Sequence, residues 1–266
     1  MKIAFIGGGV MGEAVIAGAI ANDLSDSGSI TVCDISATRR QHLSSKYGVG
    51  VGEDAAEAVA GAEIVFLAVK PQEFAVAAQS LNGKITSGQT IMSIMAGVRI
   101  ATINDLIGHE GIVRAIPNTP AQIGEGMTVW TATPAVKEPA RDEVRMLLTV
   151  LGKEVYVDSE KYVDMATAVS ASGPGYVFLV MEAMIDAAVH IGLRREIAVP
   201  MVVQTILGSA RYAQESGTHP AELRNQVTSP GGTTAEGLLV LEEAALRAAF
   251  TQAIEAAYDR AQELGG

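Results

Sequence analysis

Lys2-Ile3-Ala4-Phe5-Ile6-Gly7-Gly8-Gly9-Val10-Met11-Gly12 opens the chain with a short apolar run and a glycine-rich turn, and an Ala- and Ile-rich stretch follows to Asn22. Lys2–Ile6 reads as a buried strand and Glu13–Asn22 as a helix, which makes Gly7–Gly12 a strand-to-helix turn. In that setting Gly7, Gly9 and Gly12 fit the G-x-G-x-x-G pattern of a dinucleotide site, with Val10 and Met11 completing the turn. Gly7 permits the tight turn, Gly9 lets the backbone approach a pyrophosphate, and Gly12 allows close helix–strand packing.

Outward from this opening, apolar runs at Ile30–Cys33, Ile64–Val69, Thr90–Ile94 and Ile112–Ala115 alternate with Ala-rich helical stretches. Strands alternating with helices imply a parallel, doubly wound, Rossmann-like sheet. Weaker strand signals at Met127–Thr131 and Glu154–Tyr156, with a helix from Pro139 to Leu151 between them, extend the same sheet. The second strand ends at Asp34, about twenty residues beyond the glycines, where an acid accepts ribose hydroxyls. Asp34 repels a 2′-phosphate, whereas Arg39 and Arg40, with Ser36, could neutralise one. Strand-end turns also occur at Ala68-Val69-Lys70-Pro71, at Ala96-Gly97-Val98 and at Pro117-Asn118-Thr119-Pro120. These lie at the carboxyl edge of the sheet, where ligands of open α/β folds bind.

After about Ser159 the alternation gives way to long stretches rich in Ala, Met and Glu. The expected division is a dinucleotide-binding domain over 1–160 and an all-helical substrate-binding and dimerisation domain over 161–266. Ser172 is placed to cap a helix with Pro174 in its first turn that stops near Gly192. Further helices are expected at about Arg195–Ser216, with Pro200 early or at a kink, from Pro220, and from Thr233 to Leu264 as one element. These nearly all-round apolar helices leave hydrophobic surface for a partner subunit.

Between the last two helices lies Asn225-Gln226-Val227-Thr228-Ser229-Pro230-Gly231-Gly232-Thr233-Thr234. Pro230 disfavours a helical Ser229, and Thr233 is placed to cap a helix running from about Ala235. A fresh helix start offers unpaired N–H groups and a positive dipole end, and Ser229, Thr233 and Thr234 add hydroxyls; together these suit a small anion.

The length of 266 residues and an apolar content near half support a substantial core. The net charge of −11 argues against nucleic acid or an anionic membrane as partner. A single cysteine, Cys33, fits a reducing compartment, and no set of residues has metal-ligand spacing, so no metal is expected. Glycines interrupt the N-terminal apolar run and Glu13 follows it, so it reads as neither signal peptide nor membrane span, and a cytoplasmic location is expected. The four histidines are scattered and no Ser-His-Asp arrangement is evident. Hydride transfer to an already activated acceptor needs positioning more than a strong base. A β-hydroxyacid dehydrogenase would instead place a catalytic Lys on the first helix after the sheet, and Val177–Met184 contains none.

Val169-Ser170-Ala171-Ser172-Gly173-Pro174-Gly175-Tyr176 resembles the Ser-Gly-Ser-Gly-Pro-Ala-Tyr run of pyrroline-5-carboxylate reductases, departing at Ala171 and Gly175. The 225–234 run, with Pro220 and Leu223 upstream, resembles that family's C-terminal signature. The glycine turn and the Lys70-Pro71 and Asn118 turns match in order, so the resemblance spans the chain. It implies reduction of 1-pyrroline-5-carboxylate to L-proline, the last step of proline synthesis, with NADPH or NADH. It implies cofactor contacts at Gly7, Gly9, Val10, Met11, Gly12, Asp34, Ser36 and Arg39. Val69, Lys70, Pro71, Gly97 and Asn118 would lie toward the nicotinamide half. Family members more often carry a small hydroxyl residue where Asp34 stands, which leaves the choice of nucleotide open. The resemblance implies substrate contacts at Ser172, Gly173, Val227, Ser229, Gly232, Thr233 and Thr234. Thr234 is the catalytic candidate, hydrogen-bonding the ring nitrogen as iminium becomes amine. It further implies a homodimer with interleaved helical domains, a site formed between subunits, and a decamer as a larger assembly. Two alternatives are a reductase of another cyclic imine and a non-catalytic dinucleotide-sensing regulator.

Overall fold

Ile3–Ile6 (β1) is buried along its whole length, as is expected of an inner strand of a sheet covered on both faces. The computed structural model describes residues 1–264; the last two residues of the expected second domain lie outside the described residues. Among the described residues, β1 belongs to an eight-stranded sheet with β2 (Ile30–Cys33), β3 (Gly50–Gly52), β4 (Ile64–Leu67), β5 (Thr90–Ser93), β6 (Ile112–Ile116), β7 (Gly126–Ala132) and β8 (Gly152–Tyr156). The order β3-β2-β1-β4-β5-β6-β7-β8 contains the 3-2-1-4-5-6 order of the doubly wound dinucleotide fold, so the chain is Rossmann-like as expected. The point where strand order reverses falls between β1 and β4, paired in register from Ile3 with Ile64 to Ile6 with Leu67.

The sheet is not wholly parallel. β7 runs antiparallel to β6, with Val113 opposite Ala132, and β8 returns parallel to β7. The connection 117–125 holds only a 3-10 turn, Thr119–Ile123, and so reverses the chain without a crossover helix.

Alternate residues of the inner strands feed separate cores. Ile3, Phe5, Ile64 and Phe66 pack with Val15, Ile16, Trp130 and Leu147. Ala4, Ile6, Val65 and Leu67 pack with Phe74, Leu81, Ile103 and Ile107 on the other face. Each fully buried side chain of this size contributes about 1.5–3 kcal/mol. The covering helices are α1 (Val10–Ala21), α2 (Ala37–Tyr47), α3 (Ala55–Ala58), α4 (Phe74–Leu81), α5 (Ile100–Ile107) and α6 (Glu138–Thr149). Helix α1 starts at Val10, directly after the glycines, earlier than the expected Glu13.

Beyond the sheet the chain continues through α7 (Glu160–Ala166), a π-helical turn Thr167–Ala171 and α8 (Gly173–His190). Ser172 therefore does not start a helix. Its hydroxyl donates to the Thr167 carbonyl at 2.9 Å instead of capping. Pro174 has no N–H for the Ser170 carbonyl, and the widened π turn accommodates that loss. Arg114, buried on β6, donates to Glu160 at 2.8 Å and Asp164 at 2.6 Å, which anchors α7 to the sheet.

Two compact units result: Met1–Pro174 with the C-terminal residues from Ala256, and Gly175–Glu255. The second unit carries most of α8, α9 (Arg195–Ser216), α10 (Pro220–Gln226), α11 (Thr233–Glu243) and the start of α12 (Leu246–Leu264). The single last helix expected over Thr233–Leu264 is thus two helices, broken where Ala245 takes a left-handed φ of 56°. Pro200 lies inside α9. The second unit leaves Phe178, Leu179, Met201, Leu239, Val240 and Leu241 exposed in the single chain. The helical run Glu160–His190 is long and apolar enough to cross a membrane by length and composition alone, and little of it is buried.

Candidate active site

The glycine turn sits at the carboxyl end of β1 beside the end of β4. Gly7 has φ +96°, and a Cβ there would lie 2.7 Å from the Ala68 carbonyl oxygen. At Gly12 a Cβ would stand 3.0 Å from the Gly7 oxygen. At Gly9 it would meet nothing within 4 Å. The outer two glycines are therefore demanded by packing, while Gly9 faces open space on the side where a ligand approaches. Gly9 is the N-cap of α1, and the ladder begins with Glu13 N–H donating to its carbonyl at 2.9 Å. The N–H groups of Val10, Met11 and Gly12 precede that bond and point along the positive end of the helix dipole. A pyrophosphate fits this cradle.

An open cavity of about 550 Å³ adjoins the turn, lined by Gly7, Gly9, Asp34, Ile35, Glu53, Val69 and Lys70 among others. Asp34 is held rigidly: its Oδ2 accepts Gly8 N–H at 2.7 Å and its Oδ1 accepts Ser36 N–H at 2.8 Å. Ser36 caps α2 by accepting Arg39 N–H at 3.3 Å. Cys33 is buried beneath, and burial, then the Asp34 carboxylate, pushes its thiol up, away from thiolate reactivity.

Arg39 does not reach into the cavity as a free cation. Its side chain donates to the carbonyl oxygens of Gly8 and Gly9 and pairs with Glu13. Arg40 donates to the Asp34 carbonyl at 2.6 Å and pairs with Glu53. Glu13 also receives His42 and Lys46 at 3.0 Å each and the Tyr47 hydroxyl at 2.9 Å. Burial alone would raise its carboxyl, but the bonds from His42, Lys46, Arg39 and Tyr47 outweigh it and hold it well below the usual carboxylate range. Sequence reading did not find Glu13 or Glu53. The available signal was Arg39, His42 and Lys46 spaced three and four apart on one face of α2, the face that meets the first residue after the glycine motif.

The remaining strand-end turns differ in what they offer. Lys70 and Val69 line the cavity, and Pro71 begins a 3-10 turn after them. Gly97, with φ +76°, faces Leu264 so closely that a Cβ would lie 2.7 Å from the Leu264 Cβ. Asn118 is already engaged: Nδ2 donates to the Ser170 carbonyl at 3.3 Å and Oδ1 accepts Met127 N–H at 2.9 Å.

In the second unit, Ser229-Pro230-Gly231-Gly232 forms a type II turn, with Pro230 at its second position and Gly231 at φ +66°. Gly232 N–H closes it on the Ser229 carbonyl at 3.0 Å. Gly232, not Thr233, is the N-cap of α11, and the helix starts at Thr233 instead of Ala235. The turn delivers Gly232 in extended backbone directly above the first helical residue, so no side-chain cap forms. Glu236 N–H to the Gly232 carbonyl, at 3.2 Å, opens the ladder and leaves the N–H groups of Thr233, Thr234 and Ala235 ahead of it. The Ser229 hydroxyl leans over Gly232, 2.4 Å from where a Cβ would stand. Among the described residues the Thr233 and Thr234 hydroxyls have no hydrogen-bond partner. Val227, the C-cap of α10, is exposed, and Thr228 is turned inward onto the Arg224 carbonyl at 2.6 Å. Ser172 and Gly173 belong to the first unit, at the head of α8.

A family profile described as pyrroline-5-carboxylate reductase dimerisation matches residues 160–264, and one described as NADP oxidoreductase, coenzyme F420-dependent, matches residues 2–97. The chain is 40% identical to the pyrroline-5-carboxylate reductase of Synechocystis, covering 100% of this chain and 98% of that one. It is 36% identical to that of Escherichia coli, over 99% and 98%. A solved pyrroline-5-carboxylate reductase from Coxiella burnetii superposes with a TM-score of 0.92 at 36% identity, over 100% and 98% of the two chains. One from Plasmodium falciparum with NADP bound gives 0.90 at 29% identity, also over 100% and 98%.

Proposed function

The chain belongs to the pyrroline-5-carboxylate reductase family, and from that premise we infer that it moves a hydride from NAD(P)H to the C=N bond of 1-pyrroline-5-carboxylate, giving L-proline. It is an oxidoreductase of proline biosynthesis. It acts as a homo-oligomer on a small-molecule substrate; a homodimer that builds into a decamer, without nucleic acid or membrane partners and in the cytoplasm, is the assembly and setting proposed.

The observation that carries the site assignment is the type II turn before α11. It leaves the N–H groups of Thr233, Thr234 and Ala235 ahead of the ladder at the positive helix end, with the Ser229 hydroxyl beside Gly232. The substrate carboxylate is held there, oriented by charge-assisted bonds. Gly232, without a side chain, leaves room for the Ser229 hydroxyl, and the family resemblance assigns further substrate contacts to Val227 and to Ser172 and Gly173. The Thr234 hydroxyl meets the ring nitrogen. When bound, the reduced nicotinamide would supply the hydride for the imine carbon. As it adds, the C=N π pair moves onto nitrogen, and Thr234 holds that nitrogen while its charge falls from iminium to amine. Three of the four histidines are engaged elsewhere: His42 pairs with Glu13, His109 bonds the Gln89 carbonyl, and His219 caps α10. The proton is assigned to solvent.

On the cofactor side, Gly7, Gly9, Val10, Met11 and Gly12 are assigned to the pyrophosphate cradle, and Asp34 and Ser36 to the ribose end. Arg39 braces the turn. Val69, Lys70 and Pro71 are assigned to the nicotinamide side, and Asn118 and Gly97 to shaping that side from behind. The functional division proposed is 1–160 for the dinucleotide and 161–266 for substrate and dimerisation, whereas the compact units part at Pro174 and the first takes back the residues from Ala256.

The test is oxidation of reduced nicotinamide by the purified chain on adding 1-pyrroline-5-carboxylate, with the product identified. Proline formed in step with cofactor loss is the expected result. Turnover with a different cyclic imine and none with this one would replace the substrate, and binding without any turnover would leave a sensor.

A further inference from the structure

We propose that the chain selects NADH over NADPH, and that Glu13 and Glu53 enforce the choice by holding Arg39 and Arg40 away from the ribose end. The proposal rests on the reading that the glycine turn holds a nicotinamide dinucleotide. The two nucleotides differ by one phosphate on the adenosine ribose, which in this fold lies at the end of the second strand. That phosphate is bound most strongly by an unspent cation, in practice a guanidinium or ammonium.

The two guanidiniums nearest that position are both spent. Arg39 is drawn under the glycine turn by the Gly8 and Gly9 carbonyls and neutralised by Glu13. Leaving for a phosphate would withdraw a brace from the turn that binds the pyrophosphate. Arg40 is tied to the Asp34 carbonyl at 2.6 Å and neutralised by Glu53. Glu53 is itself a cavity wall, so it adds negative charge beside an incoming phosphate even if Arg40 swings free. The cavity walls hold Asp34, Glu53 and Glu73 against Lys70 alone.

Asp34 completes the selection. A carboxylate offers about four lone-pair positions, and backbone N–H groups of Gly8 and Ser36 occupy two. Two remain, which suits two neighbouring ribose hydroxyls. The same backbone bonds stop the carboxylate from turning away from a second negative charge.

Isothermal titration of the full-length protein with NADH and with NADPH measures the preference without turnover. The expected result is NADH binding tighter by about tenfold or more. Glu53→Gln narrows the ratio by strengthening NADPH, and Glu13→Gln, which releases Arg39, narrows it too. Glu53 is largely exposed, so its variant keeps the fold even where Asp34→Ser does not. NADPH binding as tightly as NADH to the unaltered protein overturns the preference. A preference that both glutamine variants leave unchanged overturns the role of the glutamates. Binding of neither nucleotide overturns the reading of the glycine turn and the preference with it.

Discussion

Asn118 donates from Nδ2 to the carbonyl of Ser170 at 3.3 Å, a carbonyl to which Pro174, four residues later, has no N–H to offer. Its Oδ1 takes Met127 N–H at 2.9 Å, so one side chain stitches the end of β6 to both β7 and the π turn. Asn118→Ala strands both groups and costs about 1–3 kcal/mol, seen as a lower urea midpoint at unchanged slope. A midpoint equal to that of the unaltered protein would assign Asn118 to ligand contact instead of to the turn.

Gly9→Ala separates folding from binding. The backbone at Gly9, φ −63° and ψ −173°, suits any residue, and its Cβ meets no protein atom. The thermal midpoint should stay within about 2 °C, while affinity for the dinucleotide falls by about tenfold or more. Gly7→Ala gives the opposite pattern, a loss of stability first, because its Cβ meets the Ala68 carbonyl at φ +96°.

Glu13 makes an acid-sensitive contribution. Its carboxyl titrates below the ordinary value in the folded chain, so its stabilisation is fully present above the unfolded value of about 4.3 and is lost as pH falls through the folded value. Glu13→Gln should lower the thermal midpoint at about pH 7, and the gap to the unaltered protein should narrow by about pH 3. A gap that is constant or widens toward acid would refute the cluster's role.

Much of the first domain is legible in the sequence because its signal is local. Buried runs such as Ile64–Leu67 and the glycines after β1 carry their own periodicity and turn chemistry. β3 escaped because Gly50–Gly52 is a short edge strand with little apolar content. The antiparallel step at β7 depends on how the 117–125 connection folds, which no single residue announces. At the proposed substrate loop the turn was legible and the cap was not: the type II turn moves the N-cap from Thr233 to Gly232. The arginines were visible as charges, but which carboxylate each meets is a matter of tertiary geometry.

The break at Ala245 was equally hidden, since Ala favours helix continuation. Holding a left-handed φ of 56° costs an L-residue about 1–2 kcal/mol. Ala245→Gly should therefore raise stability by about 0.5–1 kcal/mol, after the greater chain entropy of Gly is counted. A lower thermal midpoint would show that the Ala245 methyl group packs more favourably than its backbone is strained.

Steady-state kinetics of Thr234→Ala with 1-pyrroline-5-carboxylate bears most directly on the proposed chemistry, with Thr234→Ser as the rescue and thermal midpoints measured alongside. Loss of one hydrogen bond to a charged ligand, about 1.5–3 kcal/mol, predicts kcat/KM lower by about ten- to a hundredfold, recovery in the serine variant, and unchanged midpoints. An alanine variant with undiminished kcat/KM would remove the Thr234 hydroxyl from the reaction.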